Sequence, residues 1–251
     1  TVPQLDMFAH LQDETQAIAL NYTSGTTGRP KGVVYTHRGA AMNALGNTLA
    51  MGFTTDTRLL WTLPMFHCNG WSQTWAAVAA GALNVCLDRV DPALILHEIE
   101  KRGVTHMCCA PVVLYMLLDH APKDLRVSVK VATGGAPPTP ALLAGLGARG
   151  FDLLHLYGLT ESYGPATLND PLDRVFAGVA ERASYLFRLG QRHALAGCAR
   201  VVDDEGADVP SDGETLGEIV LVGNTVMAGY FRNPEATEEA FANGVVHSGD
   251  L

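Results

Sequence analysis

The sequence predicts an α/β protein, and three observations support this fold class. Apolar residues make up 47% of the 251 residues and charged residues only 17%, which is typical of a chain with a packed core. Short β-branched or apolar segments alternate with longer helical patterns. Pro92 and Pro140 stand where helices would begin, a position that tolerates the missing N–H of proline. Together these features indicate parallel strands joined by crossover helices.

The elements follow in order along the chain. Strands are predicted over residues 17–22, 59–63, 82–87, 104–109, 127–133 and 152–157, and helices over residues 36–51, 70–80, 92–102, 111–120 and 140–149. Beyond about residue 186 the pattern changes to short strands, at residues 199–203 and 218–222, around a turn-rich segment. We therefore predict layered parallel-sheet subdomains over residues 1–185 and a small β-rich subdomain, a distorted barrel, over residues 186–251.

Charge and cysteine content narrow the functional classes. A formal net charge of −9 argues against a nucleic-acid partner, because phosphate binding needs a concentrated basic surface. Five cysteines without a CxxC spacing argue against a disulfide framework and favour a reducing, cytoplasmic location. His106, Cys108 and Cys109 have apolar neighbours, so we interpret them as part of a core strand rather than a zinc site. No segment reaches the roughly 18–20 apolar residues of a membrane span.

A loop rich in glycine and hydroxyl groups follows the first predicted strand. It reads Thr23-Ser-Gly-Thr-Thr-Gly-Arg-Pro-Lys-Gly32. Its glycines let backbone N–H groups approach an anion, its hydroxyls can donate to phosphate oxygens, and Lys31 adds a positive charge. The spacing of a Walker loop is absent. On composition alone, a plain surface loop remains the alternative to a phosphate site.

Further motifs follow this loop in a fixed order. They are Pro64-Met-Phe-His-Cys-Asn-Gly-Trp71, Gly134-Gly-Ala-Pro-Pro138, Tyr157-Gly-Leu-Thr-Glu-Ser162, Gly217-Glu-Ile-Val220, Gly229-Tyr-Phe-Arg-Asn-Pro234 and His247-Ser-Gly-Asp-Leu251. With the loop, they resemble the signature motifs of the adenylate-forming (AMP-binding) superfamily. The spelling is most similar to short- and medium-chain acyl-CoA synthetases, including methylthio-alkanoate–CoA ligases. The resemblance spans nearly the whole chain.

The resemblance implies a set of site residues. Catalytic roles fall on Lys31, His67, Thr160 and Glu161, and Mg²⁺ would be held by Thr23 and Glu161. The acid would be bound by His67, Trp71, Ala110, Pro111 and Gly158. The nucleotide would be bound by Thr23, Ser24, Gly25, Thr26, Thr27, Gly28, Lys31, Gly134, Gly135, Ala136, Pro137, Tyr157, Gly158, Thr160 and Asp250. Within this set, Tyr157 offers a face for the purine and Asp250 would accept hydrogen bonds from the ribose hydroxyls.

The expected activity is the ATP-dependent activation of a small carboxylic acid to acyl-AMP, with transfer of the acyl group to coenzyme A. AMP-forming ligases of this kind use ATP, Mg²⁺ and CoA. Two alternatives stay open: an adenylation domain that loads a carrier-protein thiol, and a truncated relative that only binds nucleotide. The resemblance also implies a C-terminal lid domain beyond residue 251, carrying a lysine for adenylation, without which the chain would be poorly active. The acyl chain length and the oligomeric state, a homodimer included, stay open as well.

Overall fold

A seven-stranded mixed sheet lies at the centre of the fold. The computed structural model describes residues 11–23, 29–136, 138–169 and 174–251. In chain order the strands are β1 (Ala17–Thr23), β2 (Lys31–Thr36), β3 (Arg58–Trp61), β4 (Leu83–Cys86), β5 (His106–Cys109), β6 (Val129–Thr133), β7 (Phe151–Leu159), β8 (Gly164–Asn169), β9 (Gln191–Arg192), β10 (Cys198–Val202), β11 (Glu218–Val222), β12 (Gly229–Tyr230) and β13 (Val246–His247). The central sheet has the order β4-β3-β5-β6-β7-β8-β9. Its first five strands are parallel, and β8 and β9 are antiparallel additions.

Helices connect and cover these strands. They are α1 (His37–Met51), α2 (Cys68–Trp71), α3 (Gln73–Ala79), α4 (Pro92–Arg102), α5 (Pro111–His120), α6 (Pro140–Gly147), α7 (Val179–Phe187) and α8 (Pro234–Ala240). Asp91 and Thr139 cap α4 and α6 by accepting hydrogen bonds from backbone N–H groups of the first turn, and each of these helices begins with proline. The predicted α/β class is confirmed, and the predicted bounds of α4 and α5 agree with the structure.

Both faces of the inner parallel strands are buried, whereas the edge strand β4 is largely exposed. In β3, Leu60 packs into one apolar layer with α4, α5 and α6, whereas Leu59 and Trp61 pack into a second layer with α1 and α3. The same alternation places Met107 and Cys108 of β5 on opposite faces. Burial on two faces explains why these strands read as continuous apolar segments in the sequence.

Two smaller sheets flank the central one. The first has the order β1-β2-β12 and the second β10-β11-β13, and all of their pairings are antiparallel. The prediction that residues 17–22 form one of the crossover-connected parallel strands was therefore wrong. β1 pairs with its chain neighbour β2 as a hairpin, because the connecting segment is too short for a crossover, which needs about a dozen residues.

The predicted division at residue 186 is crossed by two strand pairings. β9 joins the central sheet through β8, and β12 joins β1 and β2, so strands from both sides of the division share sheets. The division into two subdomains stays a prediction. The five cysteines are free thiols. Within the part of the chain that the structure describes, no helix is both long and apolar enough to cross a membrane.

The predicted helix over residues 70–80 begins too early. Residues 68–72 form a turn of left-handed conformation, with φ between 49° and 61° at all five positions, and the right-handed helix α3 starts only at Gln73. We call residues 68–72 the left-handed turn. Its reversed hand redirects the chain along the end of the central sheet before α3 begins.

Candidate nucleotide and acid site

A cavity of about 420 Å³ opens at the carboxyl ends of the parallel strands. Its lining is contributed by the end of β1, the left-handed turn, the ends of β5 and β6, and the end of β7 with the turn after it. The lining residues are Thr23, Leu63, His67, Cys68, Trp71, Ala110, Gly134, Gly135, Leu156, Tyr157, Gly158, Leu159, Thr160, Glu161, Gly164 and Pro165. This is the edge at which open α/β sheets bind ligands.

The cavity brings together ten of the predicted site residues. They are Thr23, His67, Trp71, Ala110, Gly134, Gly135, Tyr157, Gly158, Thr160 and Glu161. Four others that the structure describes lie outside this lining: Lys31, Pro111, Ala136 and Asp250. Ser24, Gly25, Thr26, Thr27, Gly28 and Pro137 lie outside the described residues. Residues up to 138 positions apart in sequence thus meet at one sheet edge, from Thr23 to Glu161.

Four lining residues carry hydroxyl or carboxylate groups, and we call Thr23, Tyr157, Thr160 and Glu161 the polar wall. Tyr157 donates its hydroxyl hydrogen to Asp250 Oδ2 over 2.7 Å, and burial, followed by this bond, raises the pKa of Tyr157. The phenol therefore stays protonated and a donor at neutral pH. Asp250 lies next to the cavity through this bond rather than in its lining.

Thr160 and Glu161 form a single 3₁₀ turn directly after β7. The Thr160 carbonyl accepts a hydrogen bond of 2.7 Å from the Tyr35 hydroxyl, and the Glu161 carbonyl accepts one of 2.8 Å from Met227 N–H. Tyr35 in turn stacks on Tyr163 at 3.9 Å between ring centroids. Backbone carbonyls of the turn are thus tied to fixed partners, and Thr160 and Glu161 both line the cavity.

Tyr230 is a site residue that the sequence reasoning did not identify. Its hydroxyl donates to Glu161 Oε1 over 2.7 Å, and Lys31 Nζ lies 4.4 Å from the centroid of its ring. Burial and the neighbouring Glu161 raise the pKa of Tyr230. The motif around Gly229 contains Tyr230, so the signal was present, but its pairing with Glu161 arises only when β12 joins β2.

Glycines shape the space between the walls. A Cβ on Gly158 would lie 1.7 Å from the Gly164 carbonyl oxygen, and a Cβ on Gly134 would lie 2.8 Å from that of Leu156. Side chains at these two positions would collide with backbone unless the neighbouring segments moved apart. The glycines are therefore required by close backbone approach, which also lets a flat ligand lie against the main chain.

Apolar and neutral groups make up much of the remaining lining, and we call Leu63, His67, Trp71 and Ala110 the apolar wall. His67 is exposed, with its ring centroid 4.8 Å from that of Phe66, so it is not a core histidine. Trp71 belongs to the left-handed turn, a conformation that costs roughly 1–2 kcal/mol for each L-residue other than glycine. Trp71 thus lies on backbone that its surroundings must hold in place.

The structure is thus that of an α/β protein with a cavity of mixed polar and apolar lining at the carboxyl edge of its sheet. The sequence profile of the AMP-binding enzyme family matches residues 5–231, which is most of the chain. The chain belongs to the AMP-binding enzyme family.

Relatives named as CoA ligases match almost the whole chain. The chain is 44% identical to an acetate–CoA ligase of Humulus lupulus over 96% of its own length and 43% of that protein. It is 43% identical to a 4-hydroxybutyrate–CoA ligase of Metallosphaera sedula over 95% of its length and 44% of the relative. The chain thus spans less than half the length of these relatives.

Solved structures give the same fold. The structure of o-succinylbenzoate CoA synthetase from Bacillus subtilis with the acyl-adenylate intermediate matches with a TM-score of 0.82 and 28% identity, over 94% of this chain and 46% of that one. The same synthetase with ATP and magnesium ion matches with a TM-score of 0.78, over 94% and 47%.

Proposed function

We propose that this chain is the nucleotide- and acid-binding part of an enzyme that activates a simple carboxylic acid with ATP to acyl-AMP and then transfers the acyl group to coenzyme A. The observation that carries the proposal is the cavity with one polar and one apolar wall, in a member of the AMP-binding enzyme family. Relatives named as acetate, 4-hydroxybutyrate and benzoate CoA ligases support the acceptor and the acid class.

The polar wall would hold the nucleotide. The adenine would lie against the backbone of Gly134, Gly135 and Ala136, where glycine allows close approach, with the Tyr157 ring beside it. Asp250, held against Tyr157, would accept hydrogen bonds from the ribose. The phosphates would contact Thr160, Lys31 and the loop residues Thr23, Ser24, Gly25, Thr26, Thr27 and Gly28. Pro137 is the last of the residues that we propose to bind the nucleotide.

The apolar wall would hold the acid. Trp71 and Ala110 would contact its carbon chain, with Pro111 behind Ala110 at the start of α5, and His67 would orient its carboxylate at the boundary between the walls. Gly158 lies where the two parts of the ligand meet. A smaller or larger apolar side chain at these positions would change the acid that fits.

The chain offers oxygen ligands suited to Mg²⁺. Glu161 presents a carboxylate in the cavity lining, with Oε1 fixed by the Tyr230 hydroxyl, and Thr23 adds a hydroxyl on the same wall. Hard oxygen donors of this kind suit Mg²⁺ bound together with phosphates. When bound, the ion would neutralise phosphate charge. Tyr230 would keep Glu161 oriented toward it.

The chemistry requires positioning more than a general base. A carboxylate oxygen attacks the α-phosphorus of ATP and pyrophosphate leaves; the CoA thiol then attacks the acyl carbonyl, and AMP leaves. In-line geometry and charge neutralisation at the phosphates supply most of the rate enhancement in such a step. Thr160 and Lys31 would donate hydrogen bonds to phosphate oxygens, and Trp71 would exclude water from the acyl group.

The lining favours a simple acid over an amino acid. Among the residues described as lining the cavity, Glu161 is the only acidic side chain, and it lies on the polar wall. An amino-acid substrate needs an acidic partner for its ammonium group on the acid side. The carrier-protein alternative is therefore the weaker candidate.

The test is ATP–pyrophosphate exchange in the complete protein, with straight-chain acids of increasing length, benzoate and a panel of amino acids. We expect exchange that depends on a simple acid, and CoA thioester formation with the same acid. Exchange that depends on an amino acid would overturn the proposed acid class. Binding of ATP without any exchange would leave the alternative of a nucleotide-binding relative.

Location belongs to the same proposal. We propose a cytoplasmic enzyme, while four relatives from Arabidopsis thaliana, an acetate/butyrate–CoA ligase among them, are named as peroxisomal. Cell fractionation followed by detection of the protein distinguishes the two compartments.

A further inference from the structure

The left-handed turn is the most strained backbone segment around the cavity. Cys68, Asn69, Gly70, Trp71 and Ser72 have φ values of 49°, 51°, 60°, 53° and 61°, and glycine occupies only one of these positions. Hydrogen bonds of helical spacing close the turn, from Trp71 N–H to the His67 carbonyl and from Ser72 N–H to the Cys68 carbonyl. Successive L-residues do not adopt this hand unaided, so surrounding groups must hold it.

Asn21 of β1 holds the turn from one side. Its Nδ2 donates to Asn69 Oδ1 over 2.7 Å, and its Oδ1 accepts from Asn69 N–H over 3.1 Å. Asn21 is only 5% exposed. One carboxamide thus satisfies both a side chain and a backbone group of the same residue, which fixes Asn69 in position and orientation. We call this contact the asparagine clamp.

Three further hydrogen bonds hold the turn, from side chains of α1, of α3 and of the turn itself. Asn47 of α1 donates to the Trp71 carbonyl over 2.7 Å. Thr74 donates to the Asn69 carbonyl over 3.0 Å, and Ser72 donates to the Tyr163 carbonyl over 3.2 Å. Carbonyls on both sides of Gly70 are therefore tied to fixed partners.

The held turn determines where the Trp71 ring lies. A Cβ on Gly164 would come within 3.1 Å of Trp71 Cα and Cβ, and a Cβ on Gly134 within 3.3 Å of the far edge of the indole. The ring thus extends between two glycines of the cavity lining. Gly70 is pressed in turn against Trp61. A shift of the turn would move the whole indole and change the width of the apolar wall.

We propose that the asparagine clamp sets the size of the acid that the cavity accepts, with Asn21 and Asn69 as positioning residues that act through Trp71. The inference rests on the proposed function. It assigns control over the size of the acid to a contact that does not touch the acid itself. Because Asn21 lies two residues before Thr23, the same clamp links the strand that leads into the glycine-rich loop to the acid-binding wall.

The activity test compares the complete protein with Asn21→Ala, Asn69→Ala and the double variant. For each, kcat/KM is measured for a short and a longer straight-chain acid. We expect the preference between them to change about tenfold toward the longer acid, the scale on which a pocket discriminates one methylene, with KM for ATP unchanged. The double variant should match Asn21→Ala, because Asn21→Ala already removes both hydrogen bonds of the clamp, whereas Asn69→Ala removes only the bond between the two side chains.

Two further variants distinguish loss of the clamp from a general loss of folding. Asn69→Gly removes the side-chain bond but suits a left-handed backbone, so it should fold and shift the preference in the same direction. Asn243→Ala is the matched control: Asn243 also has a left-handed φ, of 56°, is exposed and lies outside the cavity lining. It should leave the preference unchanged.

A second readout does not depend on activity. Cys68 is a buried thiol within the turn, whereas Cys86 and Cys198 are exposed. In a Cys86→Ser, Cys198→Ser background, alkylation followed by mass spectrometry should label Cys68 at least about tenfold faster once the clamp is removed, since labelling follows local opening. Cys108 and Cys109, buried in β5, serve as internal standards.

The outcomes separate the two hypotheses. An unchanged acid preference in an active Asn69→Ala protein would overturn the inference, whether or not Cys68 labelling increases. Failure of the proposed function is seen elsewhere, as the absence of acid-dependent exchange in the parent protein. In that case the labelling rate of Cys68 alone decides whether Asn21 holds the turn, and an unchanged rate would overturn that role too.

Discussion

The two walls of the cavity are built in different ways. The polar wall places Tyr157, Thr160 and Glu161 on ordinary backbone, and its geometry depends on side-chain bonds such as those of Tyr157 to Asp250 and Glu161 to Tyr230. The apolar wall places Trp71 on left-handed backbone held by buried amides. We infer that single side chains of the polar wall can change with little effect on folding, whereas the apolar wall couples substrate choice to stability.

The largest effect is expected at Glu161. Glu161→Gln keeps an acceptor for the Tyr230 hydroxyl but removes the charge proposed to hold Mg²⁺, so exchange activity should fall by about 10²–10³ while the midpoint of thermal unfolding stays unchanged. ATP–pyrophosphate exchange and calorimetry measure the two quantities. Glu238→Gln, on the exposed face of α8, is the matched control. A large loss of stability in Glu161→Gln would contradict the distinction between the walls.

Gly158 tests the junction of the two walls. Gly158→Ala places a Cβ 1.7 Å from the Gly164 carbonyl oxygen, so β7 and β8 must separate, at a cost of about 3 kcal/mol in the free energy of unfolding. Gly147→Ala, at the end of α6, meets no atom within 4 Å and should be neutral or slightly stabilising. Urea unfolding compares them. Equal stability of the two variants would show that the close approach does not exist.

The packing of α1, which carries Asn47, should become less stable in acid. His193 is fully buried beside Gly46 of α1, and burial lowers the pKa of His193 from 6.5 to about 4. The unfolded chain binds this proton below pH 6.5 and the folded chain only near pH 4. Protonation of the unfolded chain therefore lowers the free energy of unfolding as the pH falls from 6.5 to 4, by up to about 3 kcal/mol.

Urea unfolding at pH 7.5 and pH 5 measures this dependence. His193→Leu should flatten it, although the lowered pKa values of His106 and His155 keep part of the slope in both proteins. The comparison is between the parent and the variant in how steeply the free energy of unfolding changes with pH. Identical slopes would exclude a buried neutral His193.

Smaller effects distinguish the hydrogen bonds of the two walls. Asn47→Ala leaves the Trp71 carbonyl without its buried donor and should cost about 1–3 kcal/mol of stability. The exposed bond lost in Tyr157→Phe should cost less than about 1 kcal/mol. Urea unfolding of both variants makes the comparison, and a larger cost for Tyr157→Phe would reverse our assignment of which wall supports the fold.

The sequence predicted the parallel sheet because its strands are buried on both faces and separated by capped helices. The apolar neighbours of Met107 and Val131 in the sequence indicate buried strands, and Asp91-Pro92 indicates the start of a helix. The motif resemblance likewise predicted ten residues that the cavity brings together. Such signals are local, and each can be read within a short window of residues.

The remaining features depend on contacts between distant segments. Asn69-Gly70 is a local signal for left-handed backbone, but no such signal covers Cys68, Trp71 and Ser72. The full turn is held by Asn21 and Asn47, which are remote in sequence. Tyr230 meets Glu161 only because β12 pairs with β2. Local patterns could not predict either contact, since each requires the sheet to be assembled first.

The most direct test of the two-wall account is a crystal structure of the complete protein with a non-hydrolysable acyl-adenylate analogue. We expect the adenosine to lie along Gly134, Gly135 and Tyr157. The phosphate mimic should contact Thr160, and the acyl group should pack against the Trp71 indole. An acyl group directed away from Trp71, or an adenosine bound outside this cavity, would contradict it.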